Sequence, residues 1–186
     1  PSYCACAGGK CDQQFDEHTP TRGVFLYPSE PTFIAQAIEG AVAVLRHGDS
    51  KHVWRTWREF APQGQLVFCE ICRRIRFTDV VFADVTSLNF NVLFEIGVAV
   101  GLDVPVVPLR DASYERDKSS FEALGLIDTI GYVDFRNSAE LARKVTEYGG
   151  KRSPGPTVSL NSRQPLYVVK GPLETEGELR LMALLK

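Results

Sequence analysis

Apolar positions along this chain fall into short unbroken runs separated by stretches of helical period. "GVFLYP" is apolar from Gly23 to Tyr27 until Pro28 stops it, which predicts a buried strand. In the following "SEPTFIAQAIEGAVAVLRHG", Phe33, Ile34, Ala37, Ile38, Ala41 and Leu45 share one helical face. Ser29 or Thr32 can cap that helix, Pro31 suits its first turn, and Gly48 ends it. "KHVWRTWREF" alternates Val53, Arg55 and Trp57 against Trp54 and Thr56, a second strand nearer a sheet edge. A helix over "PQGQLVFCEICRRIRFTD" follows from the spacing of Leu66, Phe68, Cys69, Cys72 and Ile75. "VVFADV" is a third strand, "NFNVLFEIGVAVG" a third helix and "VPVVPL" a fourth strand. Beyond a charged stretch from Arg110 to Ser120 come a short helix at "SSFEALG", a fifth strand at "TIGYVDF" and a helix at "SAELARKVTEYGG" capped by Ser138.

Strands alternating with helices predict an α/β fold, a five-stranded parallel sheet with helices on both faces. Its crossovers should be right-handed, and ligands should gather beyond the carboxyl ends of the strands, where strand order reverses. Asp84 ends a strand there, and the loops after Tyr27 and Asp84 should lie side by side.

The pattern also divides the chain. Residues 1–21 are polar, glycine-containing and aperiodic, an arm; residues 22–150 are the domain; "KRSPGPTVSLNSRQ" makes 151–164 a linker. Residues 165–186, "PLYVVKGPLETEGELRLMALLK", repeat the order of the first strand and helix. They read either as the start of a second copy of the domain or as an added strand-helix unit.

Composition narrows the partners. The 186 residues, 44% hydrophobic and 24% charged, suffice for a core. With 21 basic against 23 acidic residues no global field exists to hold an extended nucleic acid. The longest apolar stretch, about residues 92 to 109, is broken by Glu95, Asp103, Pro105 and Pro108, so no membrane span is expected. The opening Pro-Ser-Tyr lacks both an initiator Met and a signal peptide, which reads as a trimmed or processed chain. Five cysteines form an odd set and argue for a reducing, cytoplasmic setting without a disulfide framework. Cys4, Cys6 and Cys11, with His18 nearby, allow a metal reading, but Cys-x-Cys-x4-Cys is not a common zinc spacing; Cys69 and Cys72 fit a packed helix face. No metal or resident cofactor is expected.

Two acids stand where a core segment would have none: Asp84 at a strand end, and Glu95 among Val92, Leu93, Phe94, Ile96 and Val98. A buried carboxylate must be neutralised by a neighbour or used. Asp84 either caps the next loop through Thr86 or Ser87 amides or contacts a ligand. Asn89 and Asn91 are helix-cap residues, one of which can also face a sugar. Tyr27, Ser29 and Glu30 precede a helix amino terminus able to hold phosphate oxygens. Arg58, Arg73, Arg74, Arg76 and Arg110 read as surface charges, one of which could pair a phosphate. His47 and His52 should face water. Trp54 and Trp57, on opposite strand faces, should serve the core, with at most one free to stack on a base. The absence of Gly-x-Gly-x-x-Gly and of a Walker lysine disfavours Rossmann dehydrogenases and P-loop NTPases.

"DVTSLNFNVLFEIGVAVGLDVPVV", through Asn91, Val92, Glu95, Ile96 and Gly97, resembles the TIR-like and nucleoside 2-deoxyribosyltransferase-like nucleotide-binding domains, more loosely over residues 22 to 148. The resemblance implies a flavodoxin-like fold and puts Glu95 against the ribose of a bound nucleotide, where it assists cleavage of the bond to the base. Tyr27, Ser29, Glu30, Asp84, Asn89 and Asn91 would bind that nucleotide. The transferases carry an Asp six residues before the Glu; here Asn89 stands there, which leans toward the TIR-like branch and toward NAD or a related nucleotide as substrate or ligand. Similar bacterial defence and signalling proteins act on assembly, so self-association is implied. A noncatalytic nucleotide-sensing or oligomerisation module, and a nucleoside deoxyribosyltransferase, stay open beside the N-glycosidase.

Overall fold

The computed structural model describes residues 21–48, 51–60, 67–114 and 131–148, with two short backbone segments near the start. Those segments, β1 (Tyr3–Cys4) and β2 (Gly9–Lys10), pair antiparallel. Strands of two residues carry no readable period, so the sequence showed only an arm.

The domain itself runs β3 (Thr21–Leu26), α1 (Thr32–Gly48), β4 (Val53–Thr56), a 3-10 turn (Trp57–Phe60), α2 (Val67–Arg76), β5 (Thr78–Asp84), α3 (Phe90–Gly101), β6 (Val106–Asp111), β7 (Val133–Phe135) and α4 (Ser138–Tyr148). The sheet is all parallel in the order β4-β3-β5-β6-β7. This is the expected α/β, flavodoxin-like arrangement, with strand order reversing between β3 and β5. Both central strands are apolar along their length because both faces are covered. Phe25 and Phe82, register partners on β3 and β5, stack at 4.9 Å and face α1 and α4 with Trp54, Leu109 and Phe135. Val24, Leu26, Val81 and Ala83 point the other way, onto Ile71 and Ile75 of α2 and Val92, Ile96 and Ala99 of α3. Gly23 is required where it stands: a Cβ would lie 2.8 Å from the Trp54 ring and 3.0 Å from Phe82.

Three expectations shift. β3 starts at Thr21, whose carbonyl accepts a hydrogen bond from the Thr78 hydroxyl at 3.1 Å, one residue before the boundary read from composition. Strand β4 stops at Thr56 instead of continuing through Trp57, because the Glu59 carboxylate accepts the Thr56 amide (2.9 Å) and hydroxyl (3.1 Å) and turns the chain. Trp54 and Trp57 therefore do not share a strand. The side chains of Cys4, Cys6 and Cys11, the "SSFEALG" helix, the linker and residues 165–186 lie outside the described residues.

Candidate active site

The loops after β3 and β4 and the start of α3 enclose a cavity of about 290 Å³ at the carboxyl edge of the sheet. Tyr27, Pro28 and Ser29 form one wall, Trp57 and Ile71 a second, and Asn89, Asn91, Val92, Phe94 and Glu95 the third. Its position follows from topology: β3 and β5 are neighbours, and the chain leaves them toward opposite faces.

Glu95 is the only acid among the described lining residues. It sits in the second turn of α3, a helix whose other side chains are apolar apart from Asn91. Its carboxyl makes no hydrogen bond or ion pair with any described residue, and burial raises its pKa to about 7. Four of the five arginines singled out from the sequence are engaged elsewhere: Arg73 and Arg74 with Glu70, Arg58 with Glu39, and Arg110 with Asp134 through two bonds of 2.7 and 3.0 Å; Arg76 lies outside the described cavity wall. No Lys or Arg stands among the described lining residues, in keeping with the reading of the arginines as surface charges; the phosphate pairing that one of them could have made is not offered by the described cavity wall.

Asp84 behaves differently. It is fully buried and absent from the described cavity wall, and its carboxyl accepts the Thr86 amide at 3.1 Å and the Thr86 hydroxyl at 2.8 Å. The same hydroxyl accepts the Asp111 amide at 2.8 Å, tying the end of β5 to β6. Burial raises the Asp84 pKa to about 7 against those hydrogen bonds, with the nearby Asp111 carboxylate adding to the rise. Loop capping, one of the two readings of its sequence, is what Asp84 does in this structure.

Asn89 is the N-cap of α3: its side-chain oxygen accepts the amides of Asn91 (2.9 Å) and Val92 (3.4 Å). Asn91 is exposed on the cavity rim, Ser29 is exposed on the opposite side, and Glu30 is exposed outside the described wall. Tyr27 is buried, and its hydroxyl donates to Glu39 at 2.8 Å, so it offers the cavity a ring face and not a free hydroxyl. Burial, above all, raises its pKa. His47 and His52 are exposed, as expected.

Strand alternation misplaced Trp57: it leaves the strand and lines the cavity, while packing against the core as expected. Trp54 is core, whereas Trp57, carried by the 3-10 turn, stands edge-on to Tyr27 at 6.0 Å. The Arg58 guanidinium lies 5.9 Å from the Tyr27 ring centre and 5.8 Å from that of Trp57, and it also bonds Glu39 at 3.0 Å. The aromatic wall is thus clamped from behind. The Glu three residues after Thr56 was the sequence signal that the strand would end.

Among the described residues no group of His, Cys, Asp or Glu could hold a metal ion, and no helix is long and apolar enough to cross a membrane. No family model matches the sequence, and no curated protein does. Among solved structures the chain is similar to the CMP N-glycosidase BcmB of Clostridium botulinum (TM-score 0.45, 17% identity, covering 68% of this chain and 99% of that one). It is also similar to a 2-deoxyribosyltransferase of Leishmania mexicana (TM-score 0.43, 15% identity, 64% of this chain and 82% of that one). At these identities the likeness is one of chain path.

Proposed function

We propose that this domain binds a nucleotide and cleaves its base–ribose bond, with NAD or a related nucleotide as substrate and Glu95 as the catalytic residue. The observation that carries the reading is a carboxyl with no partner among the described residues, facing a cavity at the switch point of a parallel sheet. Breaking the N-glycosidic bond sends its electron pair out with the base and leaves positive charge on the sugar ring. An ionised Glu95 either stabilises that charge or attacks the anomeric carbon, and water then completes hydrolysis. A cationic base such as nicotinamide would also draw the Glu95 proton off, offsetting the burial that holds it on.

A volume near 290 Å³ lies at the small end of ligand sites. It suits one sugar and its base, so the remainder of a dinucleotide would extend past the rim, toward Ser29 and Asn91. Tyr27 and Trp57 supply apolar walls for the base. A deoxyribosyltransferase reading is weakened by Asn89, whose side chain caps α3 where a second acid would be wanted. The exposed apolar face of α3 favours a second reading, a noncatalytic sensor that assembles on nucleotide binding.

Chromatography of NAD, CMP and nucleosides incubated with the full chain tests the proposal. Release of free base that Glu95→Gln abolishes is the expected result. Ligand binding by calorimetry without turnover, in wild type as in variant, would leave the sensor.

A further inference from the structure

Trp57 walls the cavity, yet no hydrogen bond from its ring holds it there: the indole Nε1 is buried with no partner among the described residues. Buried tryptophans usually find an acceptor for that N–H. Without one, the ring takes its place from packing and from the backbone that carries it. That backbone is the 3-10 turn Trp57–Phe60. Glu59 accepts the Thr56 amide at 2.9 Å and the Thr56 hydroxyl at 3.1 Å, so its carboxylate closes the turn around Trp57.

Glu59 is itself held from α1. Arg46 donates to its carboxylate and, through Nε and Nη2, to the Trp54 carbonyl at 2.9 and 2.6 Å. One guanidinium thus joins β4 to the acid inside the turn. Burial would raise the Glu59 pKa, but the Thr56 amide and Arg46 hold it below the ordinary carboxylate value, so the acid is charged at neutral pH. Glu39, two helical turns before Arg46 on the same side of α1, accepts the Tyr27 hydroxyl at 2.8 Å and Arg58 at 3.0 Å. Both rings of the aromatic wall are therefore tied to α1, and none of these ties comes from a described lining residue.

We infer that Glu59, held by Arg46, is a positioning residue for base binding: it fixes the Trp57 ring as a wall of the cavity and takes no part in bond cleavage. The inference rests on the reading that the cavity receives the base of a nucleotide. Glu95 inside the cavity then acts on the sugar, and Glu59 outside it sets how tightly the base is held.

A double-mutant cycle on the full chain tests this, with KM and kcat read from base release and Kd from calorimetry with NAD and CMP. Glu59→Ala should raise KM about tenfold with kcat little altered; Glu59→Gln, which keeps an acceptor for the Thr56 amide, should raise it about threefold. In a Trp57→Ala background neither change should matter by more than about twofold, because the ring they position is gone. A second arm needs no ligand. Trp54→Phe leaves Trp57 as the single tryptophan. In that background Glu59→Ala should move its emission to longer wavelength and increase quenching by acrylamide, with Glu59→Gln between it and the parent; should Glu59→Ala not fold, Glu59→Gln carries both arms. Effects on KM that persist undiminished without Trp57, a fall in kcat in place of the rise in KM, or unchanged Trp57 emission overturns the inference while base release by wild type leaves the proposed function standing. A wild-type chain that neither binds nor cleaves a nucleotide removes that function, and with it the role in base binding, whatever the emission shows.

Discussion

Asp84 and Glu95 stand one strand-loop-helix unit apart, at the same end of the same sheet, and burial lifts both carboxyls to about 7. Their surroundings differ in everything else. Asp84 has no exposure, two hydrogen bonds from Thr86 and a structural link onward to β6. Glu95 has a cavity in front of it and no described partner. A raised pKa alone would have nominated both as reactive groups. The partner inventory separates them: one acid is an internal joint between two loops, and the other is available to whatever enters.

Glu95→Gln should break the contrast most severely. Removing the only acid in the described wall is expected to lower the rate of base release by about a hundredfold to ten-thousandfold, read by chromatography under saturating nucleotide. Because the acid has no partner among the described residues, the same change should leave the denaturation midpoint at neutral pH unaltered or raised, the usual signature of a site held ready at the expense of stability. Asp84→Ala should do the reverse. It strands the Thr86 amide and hydroxyl in a buried setting, so a loss of about 2 to 4 kcal/mol in chemical denaturation is expected. A Glu95→Gln variant as active as wild type would remove the basis of the proposed chemistry.

Proton linkage sharpens the comparison. Asp84 ionises near 3.8 in an unfolded chain and near 7 in the fold, so between those values the folded state holds more protons. Stability must then fall as pH rises from about 4 to about 7 and level off above, by on the order of 1 to 4 kcal/mol at 1.36 kcal/mol per unit. Asp84→Asn, which keeps an acceptor for the Thr86 amide, should flatten part of that slope. Activity should move oppositely. If an ionised Glu95 meets the developing charge, kcat/KM rises through an apparent pKa near 7 and then stays flat. A falling limb across the same range would instead make Glu95 the proton donor to the departing base.

The aromatic wall gives a smaller effect. Trp57→Ala removes one face of the cavity while leaving Glu95 in place, so KM should rise about tenfold with kcat little altered; Trp57→Phe should recover most of it.

Most of the sheet was legible in the sequence because unbroken apolar runs bounded by Pro, Gly and acids describe strands covered on both faces. Phe25 and Phe82 stack as such runs require. The α3 cap and Glu95 were legible too, since an Asn before a helical period and a lone acid within one are local signals. What escaped notice lay beyond what the period of apolar positions can register. Trp57 left the strand because Glu59 caps Thr56 and Arg46 reaches from α1 to the same carboxylate. The exposure of Phe90 and Phe94 was invisible for a similar reason: α3 is apolar on nearly all sides, so its period alone could not say which face meets the sheet.

The least effect is expected at Asn89, and it tests the link between the cap and the acid. Its oxygen satisfies two of the amides that α3 would otherwise leave open. Asn89→Ala should therefore destabilise the domain by about 1 kcal/mol. Asn89→Asp keeps the cap and adds negative charge at a helix amino terminus, where the dipole favours it, so stability should be held or gain a few tenths of a kcal/mol. If Asn89 serves only α3, base release by Asn89→Asp should match wild type. A gain of base exchange over hydrolysis in that variant, measured by transfer to a second free base, would mean that a second acid beside Glu95 redirects the sugar from water to a base, and that position 89 sets the outcome of the reaction.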